Sequence, residues 1–196
     1  MERETSALIR FEPMTEVEFA AYVESAIPGY ARDKVASGQW TEGESLSLSR
    51  AGYAELLPQG IGTPDNFLYT LRDAATDGQV GVLWYACQEQ AGTRLAYVYD
   101  VLIHPEHQRQ GHATRAFILL EQEVRQRGLA GIALHVFGHN AGARDLYEQL
   151  GFKATNINMF KAVGPSASEG PGPEVLHPGI STRIRSPETQ QSTHLP

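Results

Sequence analysis

The residues best placed to do chemistry gather between His104 and Phe152. A polar loop, Gln108-Arg109-Gln110-Gly111-His112-Ala113, follows the apolar run YVYDVLI and leads into the amphipathic segment FILLEQEV. Strand, short loop and helix N-terminus, in that order, present unpaired backbone N–H groups and a partial positive charge to an anion. Phosphates settle at such places. Gly111 lets the backbone approach a ligand, and Ala113 keeps the next turn small. Arg109 and Arg115 add charge that suits phosphate oxygens. A plain strand-to-helix turn with solvated arginines would look similar, so the loop alone is a weak signal.

Two better-known loops are excluded. No Gly-Lys-Ser/Thr follows Gly111, so the spacing is not that of a Walker loop. It is not G-x-G-x-x-G either, and the elements ahead of it read as an antiparallel meander rather than a βαβ unit.

The pattern Gln-x-x-Gly-x-Ala, after a strand end of the form V-x-x-x-P, resembles the GNAT superfamily of N-acetyltransferases. Downstream, LHVFGHNAGARDLYEQLGF (Leu134 to Phe152) is similar to that family's second signature: L-x-V, an Asn, then A-x-x-L-Y-E-x-L-G-F. Two signatures in the right order are far more specific than either alone, and the order of elements from Ala7 to Val163 also fits. The resemblance implies an α/β (α+β) fold with a mixed, mostly antiparallel central sheet flanked by helices. Two parallel strands, Leu95–Ile103 and Ile132–Phe137, are then expected to splay at the cofactor site. It implies an acetyl-CoA-dependent N-acetyltransferase that moves an acetyl group to a primary amine by direct attack. The implied coenzyme contacts are the loop Gln108, Arg109, Gln110, Gly111, His112, Ala113 and Thr114 around the pyrophosphate. Val101, Leu102 and Ile103 lie along the pantetheine, with Asn140 and Tyr147 nearby.

Direct attack needs a neutral amine, a donor for the thioester carbonyl and a proton for the leaving thiolate. Tyr147 matches the tyrosine that the family places near the coenzyme sulfur as general acid. Three readings stand for the base. His135 is the middle residue of L-x-V, where some relatives carry a glutamate, and an unperturbed imidazole titrates near neutrality. Asp100 is a carboxylate among apolar neighbours in YVYDVLI, where burial needs a reason. Strict alternation would turn it away from Tyr97, Tyr99 and Val101, but a bulge near the splay could re-aim it. The third is a water chain to bulk solvent. Asn140 is also a natural N-cap for the helix that follows. His104, His107, His112 and His139 lie in loops with no Cys or carboxylate at ligand spacing, so no metal is expected.

The elements that must hold these groups are legible in outline. Ala7–Phe11 reads as a strand. The box Thr15-Glu16-Val17-Glu18 opens a helix that should run to about Ala26 and stop at Pro28-Gly29, with a second piece over Ala31–Ser37. Thr41-Glu42-Gly43-Glu44 opens another helix, with Leu46, Ala54 and Leu57 on its buried side and Pro58 as its stop. Phe67–Arg72, Val80–Gln88 and Leu95–Ile103 form the meander, with turns at Asp77-Gly78 and Gly92. Helices follow over Gly111–Arg127 and Ala141–Leu150, and a last strand over Phe152–Val163. Many relatives carry two terminal strands; three readings stand for the second, that it is absent, that the tail supplies it, or that it is borrowed from a homodimer partner. Beyond Val163 the chain turns rich in Gly, Pro and Ser, which reads as a disordered tail over 164–196 behind a catalytic domain of 1–163.

Bulk properties narrow the remaining classes. A net charge of −7 opposes broad nucleic-acid binding, which needs a basic face. No apolar run approaches the roughly 18 residues that span a bilayer, and the N-terminus has no signal-peptide core. The single Cys87 cannot form an internal disulfide, which fits a reducing cytoplasm, and its apolar surroundings suit a core or half-core thiol rather than a reactive one. Aromatics are dense ahead of the loop: Tyr22, Tyr30, Trp40, Tyr53, Tyr69, Trp84, Tyr97 and Tyr99. Most read as core, with Tyr97 and Tyr99 the best placed to touch an acceptor. A small amine is favoured, with a protein N-terminus or lysine as the alternative acceptor. The rival class is a non-catalytic acyl-CoA-binding sensor or interaction module.

Overall fold

The computed structural model describes residues 9–159 and 161; the tail expected over 164–196 lies outside the described residues. A five-stranded sheet runs in sequence order: β1 (Ile9–Pro13), β2 (Asn66–Asp73), β3 (Gln79–Gln90), β4 (Thr93–Ile103) and β5 (Ile132–Leu134). The first four pair antiparallel and β4 pairs parallel with β5. One face carries α1 (Glu16–Ala36) and α2 (Glu42–Leu56). The other carries α3 (His112–Gln126) and α4 (Ala141–Gln149).

The two faces bury different chemistry. Toward α3 and α4 the sheet sends Leu71, Leu83, Val98, Val101 and Ile103, which meet Phe117, Leu120 and Tyr147. Toward α1 and α2 it sends Val82, Trp84 and Tyr99, which meet Tyr22, Tyr30 and Tyr53. The first interface is mostly aliphatic and the second mostly aromatic.

Several expectations need correction. The helix expected to stop at Pro28 continues to Ala36 with Pro28 inside it. Proline removes an intrahelical donor, but Tyr22, Ala26, Gly29, Tyr30 and Ala31 are all buried, and packing overrides the local break. Ser49 of α2 also donates to the Ile27 carbonyl at 2.8 Å, bonding the two helices next to the proline. Second, the buried edge of α2 is Ser45, Ser49 and Tyr53; of the residues expected there Leu57 is buried, while Leu46 and Ala54 are exposed. Small hydroxyls let α2 lie close on α1, and each serine returns its hydroxyl to a carbonyl. Third, the expected last strand is absent among the described residues: 152–159 run as coil, with Ile157 and Met159 exposed. β5 is also shorter than the expected Ile132–Phe137. The capping box at Thr15 does form, with Thr15 N bonded to Glu18 Oε2 at 2.9 Å and Glu18 N to Thr15 Oγ1 at 3.3 Å.

Candidate active site

The strand that carries the site is β4, and its register decides what points where. Trp84 of β3 pairs with Asp100 and Tyr85 with Val98, so Tyr99 is an extra residue, a β-bulge. Ahead of the bulge Val98 faces α3 and α4; behind it Val101 and Ile103 do. Tyr97, Tyr99 and Leu102 face α1 and α2. Asp100 joins them, because it receives a 2.9 Å hydrogen bond from the Tyr22 hydroxyl of α1. The bulge therefore resolves the orientation of Asp100: it shares a face with Tyr97 and Tyr99, and Val101 takes the opposite one.

β4 and β5 part company at the same place. They pair only through Ala96–Ile132, Tyr97–Ala133 and Val98–Leu134. Beyond Val98 the second half of β4 has no partner on its β5 side among the described residues. The chain past β5 keeps its alternation: Ile132, Leu134 and Val136 pack toward α3 and α4, whereas Phe137 packs toward α1 and α2. His135 stands edge-on to Phe137 at 5.5 Å between ring centroids. His135 and Asp100 thus belong to the α1/α2 side of the opening. Tyr147 belongs to the other: it is 3% exposed, and its ring packs on Phe117 at 5.4 Å and Phe152 at 5.6 Å.

Below the opening lies the loop. Gln108 donates from Nε2 to the Ile103 carbonyl at 3.0 Å, tying the loop to the end of β4, and Gln110 donates to the Glu106 carbonyl. Arg109 and Gly111 both have positive φ, 59° and 82°. Gly111 is the N-cap of α3, and a Cβ there would meet nothing within 4 Å. Space is open, so glycine is required for conformation and not for clearance within the protein. The first backbone bond of the helix is Arg115 N to Gly111 O at 3.0 Å. The amides of Arg109 through Thr114 donate to no backbone acceptor among the described residues. Alternating backbone handedness with free amides is an anion nest, and Arg109 and Gly111 are exposed.

His112 contributes differently from its loop neighbours. The residue is 3% exposed, and its ring lies 6.0 Å from that of His107. Nδ1 has no hydrogen-bond partner among the described residues. Burial first, then the neighbouring His107, holds its pKa below the ordinary value. Asn140 caps α4 by accepting from the Ala143 amide at 3.2 Å. Cys87 on β3 is half-buried, and burial raises its thiol pKa, which disfavours the reactive thiolate. No three His, Cys, Asp or Glu side chains converge among the described residues.

Of the eight aromatics singled out by sequence, Tyr69 sits elsewhere. Its hydroxyl, with that of Tyr85, donates to Glu123 Oε1 of α3, each at 2.8 Å. Tyr69 also lines an open cleft of about 470 Å³ between β1 and the C-terminal half of α3, remote from the loop. Two contributors escaped the sequence reading: Tyr22 as the partner of Asp100, and Phe137 as part of the α1/α2-side wall. The period-two continuation Ala133, His135, Phe137 was a usable signal for the second; nothing local signals the first.

Comparison with known proteins follows the same lines. Residues 36–152 match the model of the acetyltransferase (GNAT) family. The uncharacterized N-acetyltransferase YycN of Bacillus subtilis is 35% identical over 153 residues, covering 78% of this chain and 97% of that protein. The YycN crystal structure superposes with a TM-score of 0.75, covering 80% of this chain and 99% of that one. A shorter similarity, 37% identity over 62 residues, links 32% of this chain to 42% of the [ribosomal protein bS18]-alanine N-acetyltransferase of Escherichia coli.

Proposed function

Because this chain belongs to the acetyltransferase (GNAT) family, an enzyme family of acyl transfer, we propose that it moves an acetyl group from acetyl-CoA to a primary amine by direct attack. One observation carries the reading: a row of free loop amides, Arg109 to Thr114, at the foot of the opening where β4 leaves β5. Those amides and the Arg109 side chain suit a pyrophosphate. The unpaired β5 side of Val101 to Ile103 suits the amide-bearing pantetheine arm, with Asn140 near the far wall.

In this reading the two sides of the opening divide the work. The amine nitrogen attacks the thioester carbonyl carbon, the C–S bond breaks, and the sulfur leaves with a proton. Tyr147, on the α3/α4 side, supplies that proton. Asp100 or His135, on the α1/α2 side, receives the proton the amine gives up. The two proton transfers are thereby kept on opposite sides of the reacting carbonyl, so donor and acceptor cannot short-circuit. No metal enters this scheme.

A small amine is the favoured acceptor. The short similarity to a ribosomal-protein alanine acetyltransferase supports a protein N-terminus as the second reading. Calorimetric titration with acetyl-CoA, then thiol release over a panel of small amines and alanine-led peptides, tests both. Coenzyme binding with thiol release is expected. Absence of coenzyme binding would sink the reading; binding without release on any acceptor would instead indicate a coenzyme sensor.

A further inference from the structure

The face of the sheet that holds Asp100 is unusual for what surrounds one charge. Among the described residues Asp100 is the only buried carboxylate, at 1% exposure. It sits in a wall of rings. Trp84 stacks on Tyr99 at 4.5 Å, Tyr97 meets Tyr99 at 5.1 Å, and Tyr53 meets Trp84 at 5.8 Å. A carboxylate in such a setting costs free energy unless it is bonded. Tyr22 supplies a bond from α1. Burial, then the Asp100 charge, pushes the Tyr22 hydroxyl well above its ordinary pKa, so it remains a donor at any working pH.

The chain arranges for this charge instead of avoiding it. The bulge at Tyr99 is what lets Tyr99 and Asp100 share one face. Rings and a single carboxylate together recognise a cation with an apolar body: the carboxylate takes the charge and the ring faces take the alkyl or aryl surface. The same wall already holds one cation, since the Lys34 ammonium lies 5.5 Å from the Tyr30 ring centre and 5.3 Å from that of Trp40. A polyamine would need a second buried anion, and a peptide would need backbone partners. Rings provide neither.

We propose that the acceptor is a monoamine on an apolar arm, its ammonium received by Asp100 and its arm by the ring wall, with Tyr22 the positioning residue that fixes Asp100. Tyr97, Leu102 and His135 are only partly buried and form the rim through which it enters. The inference rests on the acetyl-transfer reading and narrows its acceptor.

The test is competitive calorimetry on the full chain loaded with desulfo-coenzyme A, which lacks the reacting sulfur. The probes are 2-phenylethylamine, its neutral analogue 2-phenylethanol, spermidine and an alanine-led tetrapeptide. The amine is expected to bind at least roughly tenfold more tightly than the alcohol, about the size of one satisfied charge contact. Asp100→Asn should erase that difference. Tyr22→Phe should weaken the amine several-fold and leave the alcohol unchanged, whereas a merely structural loss would weaken both alike. Preference for spermidine or the tetrapeptide, equal binding of amine and alcohol, or no binding of either to the loaded protein would overturn the proposal. Failure to bind desulfo-coenzyme A would instead remove the acetyl-transfer reading on which it stands.

Discussion

At the scale of single residues, the proposed roles separate packing from chemistry in ways that can be measured. Tyr147→Phe keeps the ring that meets Phe117 and Phe152 and deletes only the hydroxyl. It should leave coenzyme affinity and thermal stability intact and lower the rate of thiol release by roughly 100-fold, the lower end for a lost general acid. Calorimetry and a thiol assay read the two effects apart. His112 and His104 titrate in the opposite sense to a salt-bridged histidine. Burial is the leading cause that lowers both pKa values in the folded state, so the unfolded chain takes up protons first as pH falls. Their contribution to stability is full above the ordinary histidine pKa and is lost as pH drops through it toward the depressed folded value. The midpoint of thermal unfolding should therefore fall between pH 7 and pH 5, and His112→Gln should flatten that fall. The sequence exposed the loop, Asn140 and Tyr147 because each sits in a short local pattern. It left the facing of Asp100 open because that depends on a hydrogen bond to Tyr22, 78 positions away, which no local pattern records.

At the scale of elements, the sequence located every described strand and helix but misjudged ends and interruptions. Pro28 read as a stop because local propensity is all that a sequence window shows; five buried residues around it decide otherwise. On the buried side expected for α2, Leu57 is buried but Leu46 and Ala54 are not, because close approach to α1 selects serine, with Ser49 reaching the Ile27 carbonyl. Gly81 shows the same closeness between strands. A Cβ there would collide with the Leu102 carbonyl oxygen and stand 3.1 Å from Ile103 Cα. Both are backbone atoms of the strand whose end anchors the loop through Gln108. Gly81→Ala must push β4 aside and should cost on the order of 1–3 kcal/mol, the range for overpacking, read as a lower denaturation midpoint. It should also weaken coenzyme binding, although Gly81 lies outside the loop.

At the scale of the whole molecule, the proposed reaction assigns the two faces of one sheet to two substrates, with the coenzyme on the side of α3 and α4 and the acceptor on the side of α1 and α2. Ligand binding should therefore register as global stability. At a coenzyme concentration 100 times its dissociation constant the native state gains about 2.7 kcal/mol, which for a chain of this size raises the unfolding midpoint by roughly 5–10 °C. Gly111→Trp should abolish that rise, because a large side chain at a φ of 82° must refold the nest; an undiminished rise would mean that the coenzyme binds elsewhere. The bulge at Tyr99 has a consequence in time as well as in space. β4 is bonded on both edges ahead of the bulge, yet past it the β5 edge has no strand partner among the described residues. Amide protons along a single strand should thus exchange with deuterium in two populations, slow up to Val98 and faster for the amides beyond it that point to the β5 side without a strand partner. Occupancy by the coenzyme should merge them into one.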